Sequence, residues 1–277
     1  MNRMAKETDW PCWQKIMDDT YTIYTNRLAE MTATAAYTSQ VDHLQKSSKF
    51  RRSDNHGWEA VAFPGYTVIT SPWEEASENE GFYAGLWELQ KVLAEELFAG
   101  MMVSLPPASF HLTLADLICD DGYRQAVASY PNFEERLQES IRDSFQEYKS
   151  LGDSYPNYWR FGGIIVMPSA VGVALLPRDG VSYQRVVALR RCIYGNAGVM
   201  GLGIAQQFHF TAHITLGYWG EVFLNSDRDW LGWRLSRLNE WWLDNYPSSF
   251  WIKQAELRKF DDMTCFYRDS HFPIVAL

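Results

Sequence analysis

Two histidines stand in matching tetrapeptides, His111-Leu112-Thr113-Leu114 and His213-Ile214-Thr215-Leu216, each a histidine, an apolar residue, a threonine and an apolar residue. Both lie in apolar, strand-like surroundings. On an extended strand, side chains alternate between faces, so residues two apart point the same way. The spacing therefore predicts His111 and Thr113 on one face with Leu112 and Leu114 opposite, and likewise His213 and Thr215 opposite Ile214 and Leu216. A chain of this composition yields ~0.06 such tetrapeptides by chance, and two of them roughly 0.2% of the time.

The chemistry suited to such a pair is phosphodiester cleavage. Opening a 2′,3′-cyclic phosphate, or attack by a 2′-hydroxyl, needs one base to activate the nucleophile and one acid to protonate the leaving oxygen. An unperturbed imidazole titrates near neutrality, so one ring can be neutral while the other is charged. A phosphate between them favours the charged partner. A threonine hydroxyl two residues on can donate to a non-bridging oxygen, where transition-state charge sits. Nothing in this scheme requires a metal.

Other residues are weighed against this pair. His209 and His213 have a spacing that holds zinc on one helical face. Phe208, Phe210, Thr211, Ile214 and Thr215 instead read as strand, which puts His209 at the outer end of a cleft. Gly195, Gly198, Gly201 and Gly203 resemble a phosphate loop in composition only. They follow a helix and precede a strand, the reverse of the usual order, and are taken as a connection. Tyr66, at the start of a predicted strand, and Tyr218, close to the second motif, are possible substrate-binding side chains, with Tyr218 offering a ring to stack on a base. Arg160 is expected to pair on the surface.

The elements that must position these residues can be read from periodicity. A helical stripe runs from about Trp10 to Leu44 through Trp13, Ile16, Tyr24 and Leu28, with a break predicted near Thr32. Lys46, Lys49, Arg51 and Arg52 beside serines read as a solvated linker. A strand over Tyr66–Thr70, a helix over Gly81–Phe98 stopping at Gly100, and the first motif strand over Ser109–Ile118 make one β-α-β unit. After a helix over Pro131–Tyr148 come a hairpin (Arg160–Met167, Val171–Leu176) and a helix capped by Asp179. The second motif strand follows, over Gln207–Tyr218. Ser226-Asp227-Arg228-Asp229 has the form of a capping box for a Trp-rich helix ending near Asn245, before Pro247. Strands over Ser249–Leu257 and Met263–Arg268 close the chain. The repeated order predicts α+β architecture with two duplicated lobes.

Composition bounds the function. The 277 residues, 47% apolar and 21% charged, can build a substantial core. A formal net charge of −9 disfavours long nucleic acid, which needs clustered Lys and Arg. Cys12, Cys119, Cys192 and Cys265 are scattered singly, so neither a zinc knuckle nor a redox motif is suggested and a reducing compartment fits. Met1–Glu7 lead into polar sequence, and no apolar run approaches ~18 residues. The expectation is a cytoplasmic protein with no membrane partner.

On its two motifs the chain resembles the two-histidine (2H) phosphoesterases, related to the LigT-like RNA ligase/cyclic phosphodiesterases. Both tetrapeptides match at all defining positions, and the likeness runs from about Phe63 to Arg268. The resemblance implies an α+β fold of two duplicated β-α-β lobes whose antiparallel sheets face a central cleft. It also implies cofactor-free phosphodiester hydrolysis on a small nucleotide or an RNA end. By motif position, His111 and His213 would be the acid–base pair and Thr113 and Thr215 the phosphate clamps. Which histidine is the acid, and the oligomeric state, stay open. Residues 1–60 stand outside that core as a helical extension and linker, with 61–277 as the two-lobed domain.

Overall fold

The computed structural model describes residues 17–54, 57–152, 156–222, 228–246 and 249–277. The described chain opens with helices α1 (Tyr21–Met31) and α2 (Thr34–Val41), parted where the break was expected. Thr20 caps α1 by accepting from the Ile23 N–H at 3.3 Å. Tyr24, Leu28, Tyr37 and Val41 are buried. The hydroxyls of Tyr24 and Tyr37 donate to the carbonyls of Leu175 (2.6 Å) and Ile164 (2.8 Å), which fixes this extension against the rest of the fold. The predicted features at Trp10–Ile16, Cys12, Ser226–Asp227 and Pro247 lie outside the described residues.

The basic stretch is not a linker. It forms a hairpin of β1 (Phe50–Ser53) and β2 (Gly57–Ala60), with Arg51 opposite Glu59. Lys46 and Arg52 both lie over the Trp58 ring, a cation–π arrangement that a reading by charge alone misses.

Ten further strands form two antiparallel sheets. The first contains β3 (Gly65–Ile69), β5 (Thr113–Cys119), β10 (Gln254–Asp262), β11 (Cys265–Tyr267) and β12 (Ile274–Ala276), in order β11-β10-β3-β5 with β12 also on β10. The second contains β4 (Met102–Ser104), β6 (Tyr158–Val166), β7 (Ala170–Pro177), β8 (His213–Trp219) and β9 (Ser249–Trp251), in order β4-β8-β7-β6-β9. Helices α3 (Glu80–Val92), α4 (Asp120–Ser129), α5 (Phe133–Ser150), α6 (Gly180–Tyr194), α7 (Ala197–Gly201) and α8 (Arg228–Asn245) complete the α+β fold. Asp179 caps α6 as expected, accepting from the Ser182 N–H at 2.8 Å.

The two halves interlock. Between β3 and β5 the chain crosses to the second sheet, where β4 pairs with β8. The closing strands divide, β9 going to the second sheet and β10 to the first. The single strand expected over Ser249–Leu257 is therefore two, broken at Ile252–Lys253. Helix α4 and strand β4 escape the periodicity reading, the first for its short polar face and the second for its three residues. Both motif strands also start later than predicted: Pro107–Ser109 form a short 3-10 turn before the first, and residues 204–212 are irregular before the second.

Candidate active site

His111 enters β5 and His213 opens β8, and the burial pattern of both motifs follows the predicted alternation. His111, Thr113, His213 and Thr215 are half-buried, whereas Leu112, Leu114, Ile214 and Leu216 are fully buried. All four polar residues line one cavity of about 890 Å³ between the sheets.

The two imidazoles are held alike. Nδ1 of His111 donates to the Ser109 carbonyl at 2.7 Å, and Nδ1 of His213 donates to the Thr211 carbonyl at 2.7 Å. A carbonyl only accepts, so Nδ1 carries the proton in each ring. The neutral ring then keeps its lone pair on Nε2. Phe266 stands edge-on to His111, with ring centroids 4.2 Å apart. Its carbonyl accepts from Arg258 Nη1 at 3.2 Å, and Arg258 is itself buried in ion pairs with Glu75 and Glu256. Burial pushes the His111 pKa down to about 4; the Ser109 carbonyl opposes this, and the charges of His213 and Arg258 add to it.

A matched irregularity shapes both motif strands. In β5 the register skips Leu114, since Val68 faces Ala115 and Ile69 faces Thr113. In β8 it skips Leu216, since Val171 faces Gly217 and Gly172 faces Thr215. Each motif thus carries a β-bulge at its fourth residue. A bulge shifts the alternation by one, so Asp116 and Tyr218, each three residues beyond the motif threonine, join the cavity lining. It also leaves a carbonyl outside the ladder. Arg190 of α6 donates Nη1 to the Leu114 carbonyl at 2.6 Å. Gln90 of α3 donates to the Leu216 carbonyl at 2.7 Å. Each motif is therefore braced by a buried polar side chain from the other half of the chain.

The N-terminal segment extends this bracing. Asp18 pairs with Arg190 at 2.7 Å and accepts from the Phe210 N–H (3.0 Å) and from Gln206 (2.7 Å). Arg27 donates to the Thr211 hydroxyl (2.6 Å) and to the Phe210 carbonyl (2.7 Å). Since Thr211 also holds the His213 ring, the extension fixes the approach to the second motif.

No curated protein matches the chain. A family model, 2H-phosphodiest, described as a domain of unknown function (DUF1868), matches residues 52–144, which contain the first motif. That match covers about a third of the chain and makes this segment, with its first motif, similar to a two-histidine phosphodiesterase domain. A conserved protein of unknown function from Agrobacterium tumefaciens, ATU0111, shares the fold at TM-score 0.60 and 18% identity, over 86% of this chain and 97% of that one. TT0787 of Thermus thermophilus (TM-score 0.44, 14% identity, 70% and 86% coverage) is more distant. So is LigT of E. coli complexed with NADP+ (0.36, 12%, 78% and 95%). At such TM-scores these two add nothing to the fold assignment.

Around this two-histidine pair the remaining predicted residues fall differently. Tyr218 lines the cavity, but its ring is 8% exposed, packed on Phe50 and covered by the Lys49 ammonium at 5.0 Å. Tyr66 lines the cavity as well, at 1% exposure, with its ring packed on Tyr123 and Phe272. Its neighbour Thr67 also lines the cavity and donates to the Ala115 carbonyl at 3.1 Å. His209 lies at the cavity as expected and faces Asp19 at 3.3 Å. Arg160 is exposed. Sequence reasoning missed Phe208 and Tyr130, which line the cavity while 71% and 40% exposed. Phe208 was absorbed into a predicted strand, although it lies in a loop.

Proposed function

We propose that the protein hydrolyses 2′,3′-cyclic or 2′-5′-linked nucleotide phosphodiesters without a metal ion, with His111 and His213 as the acid–base pair. The observation that carries this reading is the duplicated tether: two imidazoles, each bound through Nδ1 to a backbone carbonyl, present Nε2 in one cavity beside two threonines. His111, held neutral by its surroundings, is the base. Its Nε2 takes a proton from the attacking water as the new P–O bond forms. His213 gives its proton to the leaving ribose oxygen as the old P–O bond breaks, producing a phosphomonoester. Thr113 and Thr215 hold the non-bridging oxygens. The acidic balance of the chain and the bounded cavity favour a small substrate over a long RNA.

A panel of 2′,3′-cyclic mononucleotides, 2′-5′ oligoadenylate, cyclic dinucleotides and short RNA, assayed with EDTA, tests this. Turnover of the first or second class that survives the chelator supports the reading. Loss of activity with chelator, or ligand binding with no turnover in any class, rejects it.

Two consequences follow from the site's geometry. A base with a pKa near 4 is still unprotonated at pH 5, where an ordinary histidine would be roughly 97% charged. The acid limb of kcat/KM should therefore lie near 4 and not near 6.5, which a profile from pH 3.5 to 8 will show. Phe208, an exposed ring at the cavity, is expected to stack on the base. A stacked base contributes about 1–3 kcal/mol, so Phe208→Ala should raise KM about fivefold or more with kcat little changed.

A further inference from the structure

One cation in the cavity has no role in this scheme. Lys49 lies just before β1, and its ammonium sits over two rings, 4.6 Å from the centroid of Phe63 and 5.0 Å from that of Tyr218. Among the described residues its one polar contact is with the neutral Tyr218 hydroxyl, at 3.5 Å. The other basic residues of the segment are occupied: Lys46 and Arg52 by Trp58, Arg51 by Glu59. Arg190, the other Lys or Arg of the cavity lining, is committed to Asp18. Among the described residues no carboxylate pairs directly with Lys49, although Asp116 and Asp120 attract it through space.

The placement is built, not incidental. The Ser47 N–H donates to the Trp219 carbonyl at 2.8 Å, and the Lys49 carbonyl accepts from Val61 at 2.9 Å. The first bond ties the segment to the end of the second motif strand, and the second ties it to the residue after β2. Tyr218 reaches the cavity only because of the bulge at Leu216. It lies three residues beyond Thr215, roughly 10 Å along the strand. An ammonium held in a half-buried site with no carboxylate bonded to it is costly unless an anion completes it. Burial lowers its pKa accordingly.

We propose that Lys49, caged by Phe63 and Tyr218, is a subsite for a second phosphate on the ligand, beyond the one held between the histidines. The preferred ligand class is then a nucleotide bearing a further phosphate, and Lys49 sets that preference without taking part in proton transfer. The identity of the ligand as a nucleotide rests on the proposed hydrolytic reading; the anion subsite does not. Asp116, at the equivalent position of the other motif strand, sets a negative limit on the same space.

The test is equilibrium binding by calorimetry, at fixed salt, of a nucleoside 2′-monophosphate, the corresponding 2′,5′-bisphosphate and inorganic pyrophosphate. The proteins compared are the wild type, Lys49→Gln and Lys49→Arg. A hydrogen-bonded charge pair of ordinary strength gives the wild type about a tenfold preference for the bisphosphate over the monophosphate. Lys49→Gln should reduce that preference to about twofold or less while leaving monophosphate affinity within about twofold, and Lys49→Arg should retain most of it. Pyrophosphate should weaken in parallel in Lys49→Gln. A bisphosphate preference that is absent in the wild type, or undiminished in Lys49→Gln, overturns the proposal, as does failure of all three ligands to bind. Because the readout is binding, a negative substrate panel leaves this subsite standing, and loss of the subsite leaves the hydrolytic reading intact.

Discussion

Alanine at His111, and separately at His213, is expected to lower turnover of the preferred diester by about two orders of magnitude or more. In the proposed mechanism each ring supplies one half of a coupled proton transfer, so neither can replace the other. The double variant should be little worse than the poorer single one, because residues that act as a unit are not additive. Both rings are half-buried and bonded to the main chain through Nδ1 alone, so the variants should fold, which circular dichroism will check. Thr113→Val and Thr215→Val, which keep shape and remove the hydroxyl, should cost about tenfold each in kcat. Comparable rates in wild type and either histidine variant would remove the acid–base assignment.

The largest expected effect on stability belongs to the Asp18–Arg190 pair. Both side chains are buried, at 0% and 5% exposure, and together they serve the Leu114 carbonyl, the Phe210 N–H and Gln206. Arg190→Met leaves the Asp18 carboxylate uncompensated and the Leu114 carbonyl unpaired. Breaking a buried pair in this way costs about 3–5 kcal/mol. The urea midpoint should fall accordingly, and part of the loss should return in the Asp18→Asn, Arg190→Met double variant, where no lone charge remains. Gln90→Leu should cost less, about 1–3 kcal/mol, because the Leu216 carbonyl keeps the Leu105 N–H at 3.0 Å. An Arg190→Met variant within 1 kcal/mol of wild type, by rough measure, would show that the brace is replaceable.

What was legible in the chain was local. Alternation assigned the faces of both motifs, Thr32 marked the helix break, and Asp179 marked the start of α6. What was not legible depends on distant partners. The bulges at Leu114 and Leu216 exist only in the register with β3 and β7, and they decide that Asp116 and Tyr218 face the cavity. Arg190 lies within a helix whose apolar stripe was read correctly, but its burial is explained by Asp18, which is 172 residues away. The basic stretch around Lys49 read as solvated because its π partners, Trp58, Phe63 and Tyr218, are not encoded in charge. Phe208 was read as part of a strand, whereas the loop it lies in leaves its ring exposed at the cavity.

The central claim is that His111 and His213 flank a single phosphate. Titration of the two imidazole Cε1–H resonances by NMR, with and without a bound nucleoside monophosphate, tests it directly. An anion between the rings stabilises their charged forms. The His111 pKa should rise from about 4 on binding, both resonances should shift at the same ligand concentration, and affinity should increase as pH falls through the window between the free and bound values. A His111 resonance that stays at its free-state pKa while ligand saturates the protein, or a response confined to one ring, would contradict the account.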